Sequence, residues 1–591
     1  MRRSRVSRLR STLTFAFLSL FVVVFVFKLA DIQVVNADEL TETALDKRSV
    51  PIPTYGIRGD IVDEKGVLLA TTDVRYDVQL SPKNVGSFHR ALDTNQTKEV
   101  SKAEALAEIG AITGQSGEEI QKIVDDALAI NPKSDFAYVK RSVDLAALNA
   151  LKDLSIPWLT FDQNPSRTYP NGAIAGNLVG FVGDDNVPLA GVELSQDACL
   201  ADQNGEETIE RGADGVTIPG TTVKVKDKVD GGTVKLTIDS DLQWQAQQIV
   251  NRQVETTGAR WGLATVQEVS TGKMRAIAES NTVDPNDVDA SAAEDRNSKA
   301  YLWPFEPGST YKTITAAALI DQGLATPTTQ VIAPGSYEAP NGARFADSWS
   351  HGPIQYTLTG VMVDSSNVGI SLLGANMTAE TRYSYLKKFG LGEPTNSGLG
   401  DESGGQLRPW EEWDYQTTYN TMFGQGLSST VIQTSDIYQA LANGGTRLPA
   451  QLVEGCESAD GTFTAHDPGE PVQVVSPETA KTTTSILEML PQDSWLTDRI
   501  AIPGYRIAGK TGTAEQVDET GSYGDTYVNS FAGYFPADDP KYVVVFVLGH
   551  PEVQMGAPET VNGFRDVAQA TIKTYAVPPS TTPAETIPKN F

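Results

Sequence analysis

The sequence predicts an α+β protein built as a membrane anchor, an elongated mixed α/β pedestal, and a domain whose antiparallel sheet packs on a helical cluster. Three observations carry this expectation. An apolar run follows a cluster of arginines near the start. Strand, helix and hairpin patterns open a new segment at Val234, and strand patterns return at 506–548. Between them the spacing is helical, an order that suits segregated helices on an antiparallel sheet. At 591 residues the chain is too long for one core.

Taken in order, Arg2, Arg3, Arg5, Arg8 and Arg10 make residues 1–11 a basic segment. Residues 12–30 then form a predicted transmembrane helix, close to the ~20 residues that a bilayer core requires, with Lys28 reaching outward. Arginines on the short side place the N-terminus in the cytoplasm and the rest of the chain outside, a single-pass topology in the cell membrane. A cleaved leader is the rival reading, because Val35-Asn36-Ala37 has small residues at the right spacing. That site would follow Phe27 by ten residues, with Lys28 and Asp31 between, so an uncleaved anchor is expected.

Residues 31–232 are expected to form the pedestal, a non-catalytic, dimerisation-like module. It begins with a polar connector over 31–57 and a hairpin over 58–70 that turns at Glu64-Lys65-Gly66. Val74–Leu80 alternates as a strand does, and 98–130 and 142–153 have helical spacing. Residues 184–232 are rich in Gly and Asp. No catalytic constellation appears in this half.

The second domain is placed at 233–577. Its expected elements are a strand at 234–239, a helix over 240–256, a hairpin over 263–279, and helices near 357–374, 379–389, 430–443 and 477–491. The apolar run 542–548 reads as a buried strand and 558–576 as a final helix. The Pro/Thr-rich tail 578–591 is expected to be disordered.

Composition excludes several classes. A formal charge of −28 argues against nucleic acid as a partner. Four histidines and two cysteines, with no metal-site spacing among them, imply no metal and no cofactor. Cys199 and Cys456 fall in different expected domains, so two free thiols are the default.

Chemistry concentrates at Glu306-Pro-Gly-Ser-Thr-Tyr-Lys312. Pro307 and Gly308 break the preceding chain and an Ala-rich helix follows, so Ser309 sits at a helix start and Lys312 on the same face. Cβ atoms at that offset lie ~5–6 Å apart, close enough for a nucleophile and its base. Two other Ser-x-x-Lys pairs are set aside: Ser270–Lys273 lies in a turn, and Ser384–Lys387 on a solvated helix face. Ser365-Ser366-Asn367 follows Ser309 by 56 residues, within the expected helix 357–374, and Lys510-Thr511-Gly512-Thr513 by 201, at the head of a strand. Either motif alone would read as a helix cap or a surface turn. His351 reads as structural, and no Gly-x-Ser-x-Gly announces a Ser-His-Asp triad.

In that order, Ser-x-x-Lys, Ser-x-Asn and Lys-Thr-Gly form a signature of penicillin-binding proteins and serine β-lactamases. The chain resembles the class B penicillin-binding proteins, monofunctional D,D-transpeptidases of bacterial cell-wall synthesis, with the division type favoured. The resemblance covers nearly the whole chain: the anchor and Arg58-Gly-Asp-Ile61 match the pedestal half, while Leu236-Thr-Ile-Asp239, Gly424-Gln-Gly-Leu427 and Asn443-Gly-Gly445 match the transpeptidase half. It implies that Ser309 attacks the carbonyl between two D-alanines and that Lys312, held neutral, is the base. It further implies that Ser365 relays a proton and Asn367 orients the substrate amide. Thr511, Gly512 and Thr513 would bind substrate with Lys510 assisting, and the Ser309 and Thr513 backbone N–H groups would form the oxyanion site. The implied partners are peptidoglycan stem peptides, β-lactams as covalent inhibitors, and a membrane glycan polymerase with other division proteins.

The alternatives are an elongation-type transpeptidase, a D,D-carboxypeptidase or β-lactamase, and a β-lactam-binding scaffold or sensor. No Glu-x-x-Leu-Asn lies between the second and third motifs, so acyl-enzymes should be long-lived. The few residues before the apolar run are not expected to hold a signalling domain, and residues 31–232 lack the carboxylate motif of a glycan polymerase.

Overall fold

The computed structural model describes all residues except Met1, 39–48, 94–95, 184–185, 211–217, 219, 518–522 and 553–556. Parts of the expected connector and of the Gly/Asp-rich stretch therefore lie outside the described residues. The chain divides into two compact units, Met1–Ile57 with Asp202–Asp230, and Arg58–Ala201 with Gly231–Phe591.

In the first unit the apolar run forms the helix Arg2–Ala30, extended by one wider turn over Asp31–Val35. Leu9–Val35 is long and apolar enough to cross a bilayer, with mean hydropathy 2.5, and it takes in the whole of the expected 12–30 segment. Lys28 pairs with Asp31 at 2.7 Å. The same unit holds an antiparallel sheet of Ser49–Thr54, Gly205–Glu210 and Val223–Lys226.

In the second unit, Ile61–Val62 and Leu68–Leu80 form the expected hairpin. The long strand pairs along its length with Leu159–Thr168 and also with Ala137–Val143. The single helical stretch expected over 98–130 is instead a strand, Gln96–Val100, and two helices, Lys102–Thr113 and Gly117–Ile130. Gly114, at φ 75°, ends the first helix and Ser116 caps the second, so the apolar spacing continues across a turn. Leu106, Ile109, Ile120 and Val124 bury against Val78, Leu80 and Trp158.

Arg58 and Arg167 both bind the fully buried Glu193, Nε to carboxylate oxygen, at 2.8 and 2.6 Å. Removing one partner of such a buried cluster typically costs about 3–5 kcal/mol, and the cluster ties the Arg58 hairpin to the short helix Gly191–Ser195.

One mixed sheet spans the sequence position where the second domain was expected to begin. Val234 pairs in parallel with Ile61 and in antiparallel with Cys456. This brings Cys456 to Cys199, and the two form a disulfide with Cα atoms 6.0 Å apart. The expectation of two free thiols is corrected. A separation of 257 residues conceals a contact made only by strand pairing.

The C-terminal half is built from α1 (Ser240–Thr257), β1 (Trp261–Glu268), β2 (Met274–Glu279), α2 (Lys312–Asp321), α3 (Leu358–Val363), α4 (Asn367–Gly374), α5 (Val431–Ala442), β3 (Ala508–Val517), β4 (Tyr523–Phe535), β5 (Tyr542–Gly549) and α6 (Ala557–Tyr575). The five strands form an antiparallel sheet in the order β2-β1-β5-β4-β3. Asp239 caps α1 by accepting from the Asp241 and Leu242 N–H groups. Leu242, Ala246 and Val250 of α1 and Phe564 and Val567 of α6 bury together with Phe531 and Phe546 of the sheet. Helices α2 and α5 share the core of Val543, Val545 and Val547. Every residue of β5 is buried, which explains its unbroken apolar run.

Two expectations in this half are corrected. The helix expected over 357–374 is broken at residues 364–366 into α3 and α4, because Ser365 takes φ +61°. The tail 578–591 is not disordered: its backbone and side chains are hydrogen-bonded to the rest of this half as far as Phe591.

Candidate active site

Ser309 lies in a tight turn, Gly308–Tyr311, that leads directly into α2. Gly308 has φ 59°, and a Cβ on it would meet Thr513 O at 2.6 Å. Glycine is required there because β3 runs against the turn. The turn is anchored from below: Thr310 Oγ1 donates to Pro307 O (2.9 Å) and Tyr438 OH of α5 to Thr310 O (2.9 Å).

Three separated motifs converge on this turn. Lys312 Nζ lies 2.6 Å from Ser309 Oγ, 2.7 Å from Asn367 Oδ1, 2.9 Å from Ser365 O and 3.2 Å from Ser365 Oγ. Lys510 Nζ reaches Ser365 Oγ at 2.9 Å and Thr511 Oγ1 at 3.2 Å. Thr513 Oγ1 donates to Asn529 Oδ1 on the neighbouring strand at 3.1 Å. The two other Ser-x-x-Lys lysines are occupied elsewhere, Lys273 by Glu454 (2.6 Å) and Lys387 by Glu393 (2.5 Å).

Both central lysines are completely buried. Desolvation pushes the Lys312 amine well below its ordinary range, the Lys510 cation pushes the same way, and Asp347 opposes them. Burial lowers Lys510 to about 7 against the pull of Asp364. A neutral Lys312 presents a lone pair to the Ser309 hydroxyl, and a cationic Lys510 would polarise Ser365. The arrangement can therefore deprotonate a serine nucleophile and return the proton through a second hydroxyl.

The second motif occupies the break between α3 and α4. Ser366 points away from the site. Its Oγ caps α4 by accepting from Gly369 N–H (2.8 Å) and donates to Asp347 Oδ2 (2.7 Å). Asn367 Nδ2 donates to Ala346 O at 2.9 Å, which aims its Oδ1 at Lys312. Asp347 also accepts from Val368 N–H (3.0 Å) and meets His351 Nε2 (2.9 Å). Asp347 is a support that sequence reasoning missed, since it belongs to no motif. His351, read as structural, belongs to this support.

The third motif lies on β3, the edge strand of the sheet. Lys510, Thr511, Gly512 and Thr513 pair with Ala532, Phe531, Ser530 and Asn529 on one side. An edge strand of this kind can take an extended peptide on its other side through backbone hydrogen bonds.

The chain is similar to known proteins along most of its length. Residues 262–569 match the family described as the penicillin binding protein transpeptidase domain, and residues 53–236 match the penicillin-binding protein dimerisation domain. The chain is 36% identical to penicillin-binding protein PbpB of Mycolicibacterium smegmatis over 93% of its own length and 88% of that protein. It is 29% identical to peptidoglycan D,D-transpeptidase FtsI of Escherichia coli K12, over 89% of this chain and 84% of that one. Among solved structures, penicillin binding protein 3 of Mycobacterium tuberculosis complexed with ampicillin is 30% identical with TM-score 0.69, covering 90% of this chain and 98% of that one.

Proposed function

The chain belongs to the class B penicillin-binding proteins of the division type, and from that premise we propose how it cross-links peptidoglycan stem peptides as a D,D-transpeptidase at the septum. The observation that carries the mechanism is the 2.6 Å approach of the buried Lys312 amine to Ser309 Oγ.

Neutral Lys312 takes the Ser309 proton as Oγ attacks the carbonyl between two D-alanines. The backbone N–H groups of Ser309 and Thr513 receive the developing oxyanion, where fixed donors are most effective. As the peptide C–N bond breaks, the proton passes from Lys312 through Ser365 Oγ to the departing D-alanine amine. Asn367 orients the substrate amide, and Lys510, Thr511, Gly512 and Thr513 hold its terminal carboxylate. The amine of a neighbouring stem peptide then attacks the Ser309 ester by the reverse proton path, forming the cross-link and freeing the serine. A β-lactam enters the same path, but its leaving nitrogen stays tethered, so the acyl-enzyme persists.

We place the enzyme in the cell membrane with residues 1–11 cytoplasmic, 12–30 spanning and the catalytic domain outside, supported by the arginine cluster and the apolar helix. Residues 31–232 act as the pedestal and 233–577 as the transpeptidase domain. A membrane glycan polymerase and further division proteins are its proposed partners.

The test is covalent labelling of the full chain with a fluorescent penicillin. Stable label on the wild type, absent from Ser309→Ala, is the expected result. Label retained on a folded Ser309→Ala protein would overturn the assignment of the nucleophile.

A further inference from the structure

The Pro/Thr-rich stretch 578–591 crosses the catalytic domain and ends against Gln355, Thr357 and Asp364, the last of these next to the second motif. At its start, Ser580 N–H donates to Gly504 O (2.9 Å), and the Thr581 and Thr582 N–H groups donate to Asp538 Oδ2 (2.8 and 3.1 Å). Arg506 Nη1 donates to Thr582 Oγ1 at 2.6 Å. At its end, Thr357 N–H donates to Lys589 O (2.8 Å), Thr357 Oγ1 to Pro588 O (2.7 Å), and Asn590 Nδ2 to Gln355 O (3.0 Å). Gly360 in α3 makes room for this passage, since a Cβ there would collide with Lys589 O.

The consequence falls on Asp364. Lys589 Nζ binds Asp364 Oδ1 at 2.8 Å, and Tyr356 OH donates to Asp364 Oδ2 at 3.0 Å. Both carboxylate oxygens are thereby held. The next residue is Ser365, a non-glycine residue at φ +61°, a conformation that persists only where its surroundings impose it. Its hydroxyl and carbonyl are the atoms that Lys312 and Lys510 contact.

We propose that residues 578–591 act as a strap that completes the active site, with Lys589 a positioning residue that holds Ser365 in its left-handed turn through Asp364. This rests on the transpeptidase reading of Ser365. The strap also sets local charge. Asp364 acts on Lys510, His351 and the Tyr356 hydroxyl, while Asp347 and Lys510 act on Lys312. With Lys589 in place, the field of Asp364 at Lys510 is partly neutralised.

The test uses three full-chain variants, Lys589→Ala, Lys589→Arg and Gly360→Val, together with a chain ending at Val577. Penicillin acylation rate, its pH profile and thermal unfolding are measured for each. Lys589→Ala is expected to acylate about 10²-fold more slowly, the scale of a misplaced reacting group, with label still confined to Ser309. Its alkaline limb should move to higher pH, because unpaired Asp364 favours the Lys510 cation. Lys589→Arg should restore both properties, and Gly360→Val and the shortened chain should behave like Lys589→Ala. Wild-type rates and an unchanged pH profile in Lys589→Ala would overturn the proposal, even with a lower melting temperature. A wild-type protein that takes no penicillin would overturn the transpeptidase reading, and the strap's role with it.

Discussion

Lys510 Nζ lies 2.9 Å from Ser365 Oγ, although 145 residues separate them in the chain. Lys312 approaches the same hydroxyl at 3.2 Å. A single serine hydroxyl thus links two buried amines, the geometry that the proposed proton route out of the Ser309–Lys312 pair requires.

Ser365→Gly tests that route cleanly, because glycine accepts φ +61° and only the hydroxyl is lost. Acylation by penicillin should fall about 10²–10⁴-fold, the usual contribution of a positioned proton donor. Stopped-flow labelling beside a thermal melt checks this. A rate within a few-fold of wild type would remove Ser365 from the proton path.

The pH profile follows from the two lysines. Lys510 is lowered to about 7, so its cation is present below that pH and lost above it. Lys312 is held well below the ordinary amine range by burial and by the Lys510 cation, which favours the neutral form that serves as a base. Acylation should therefore decline above about pH 7. In Lys510→Arg the alkaline limb should disappear, since a guanidinium stays charged. Rate measurements across pH on both proteins decide it, and identical alkaline limbs would sink the idea.

Gly308→Ala places a methyl group 2.6 Å from Thr513 O at a left-handed φ. The strand must withdraw from the Ser309 turn, with a stability loss of about 1–3 kcal/mol and slower acylation. Gly323, at φ 68° with open space around it, is the control. Gly323→Ala should lower stability through backbone strain alone and leave acylation unchanged.

Replacing Cys199 and Cys456 by serine, or reducing the disulfide, should lower the stability of the second unit by about 2–4 kcal/mol. Urea unfolding with and without reductant measures it. Penicillin labelling under native conditions should persist, because Cys456 pairs with Val234 in one sheet while Lys510 lies on another, and a coincident loss of labelling would contradict this.

Some of this was legible in the sequence and some was not, for a common reason. Ser309 and Lys312 are three residues apart, so a turn and a helix suffice to bring them together. The hairpin over 263–279, the buried strand at 542–548 and the helix near 430–443 were legible because their side-chain periodicity is local. The break at Ser365 was not, because the apolar spacing continues through it and the contacts around it, those of Asp347 and Asp364, come from distant segments. The tail misled by composition: Pro and Thr favour disorder in isolation, yet here their backbone groups find partners on Asp538, Thr357 and Gln355.

The sequence by itself determined the candidate reacting groups and their order, because Ser-x-x-Lys, Ser-x-Asn and Lys-Thr-Gly are short patterns whose chemistry is carried by residue type. Tertiary structure alone decided that Asp347 supports the second motif, that Cys199 meets Cys456, and that Lys589 closes on Asp364. Each of these depends on pairing between segments distant in the chain, and such a contact forms only when burial and strand registry bring them together.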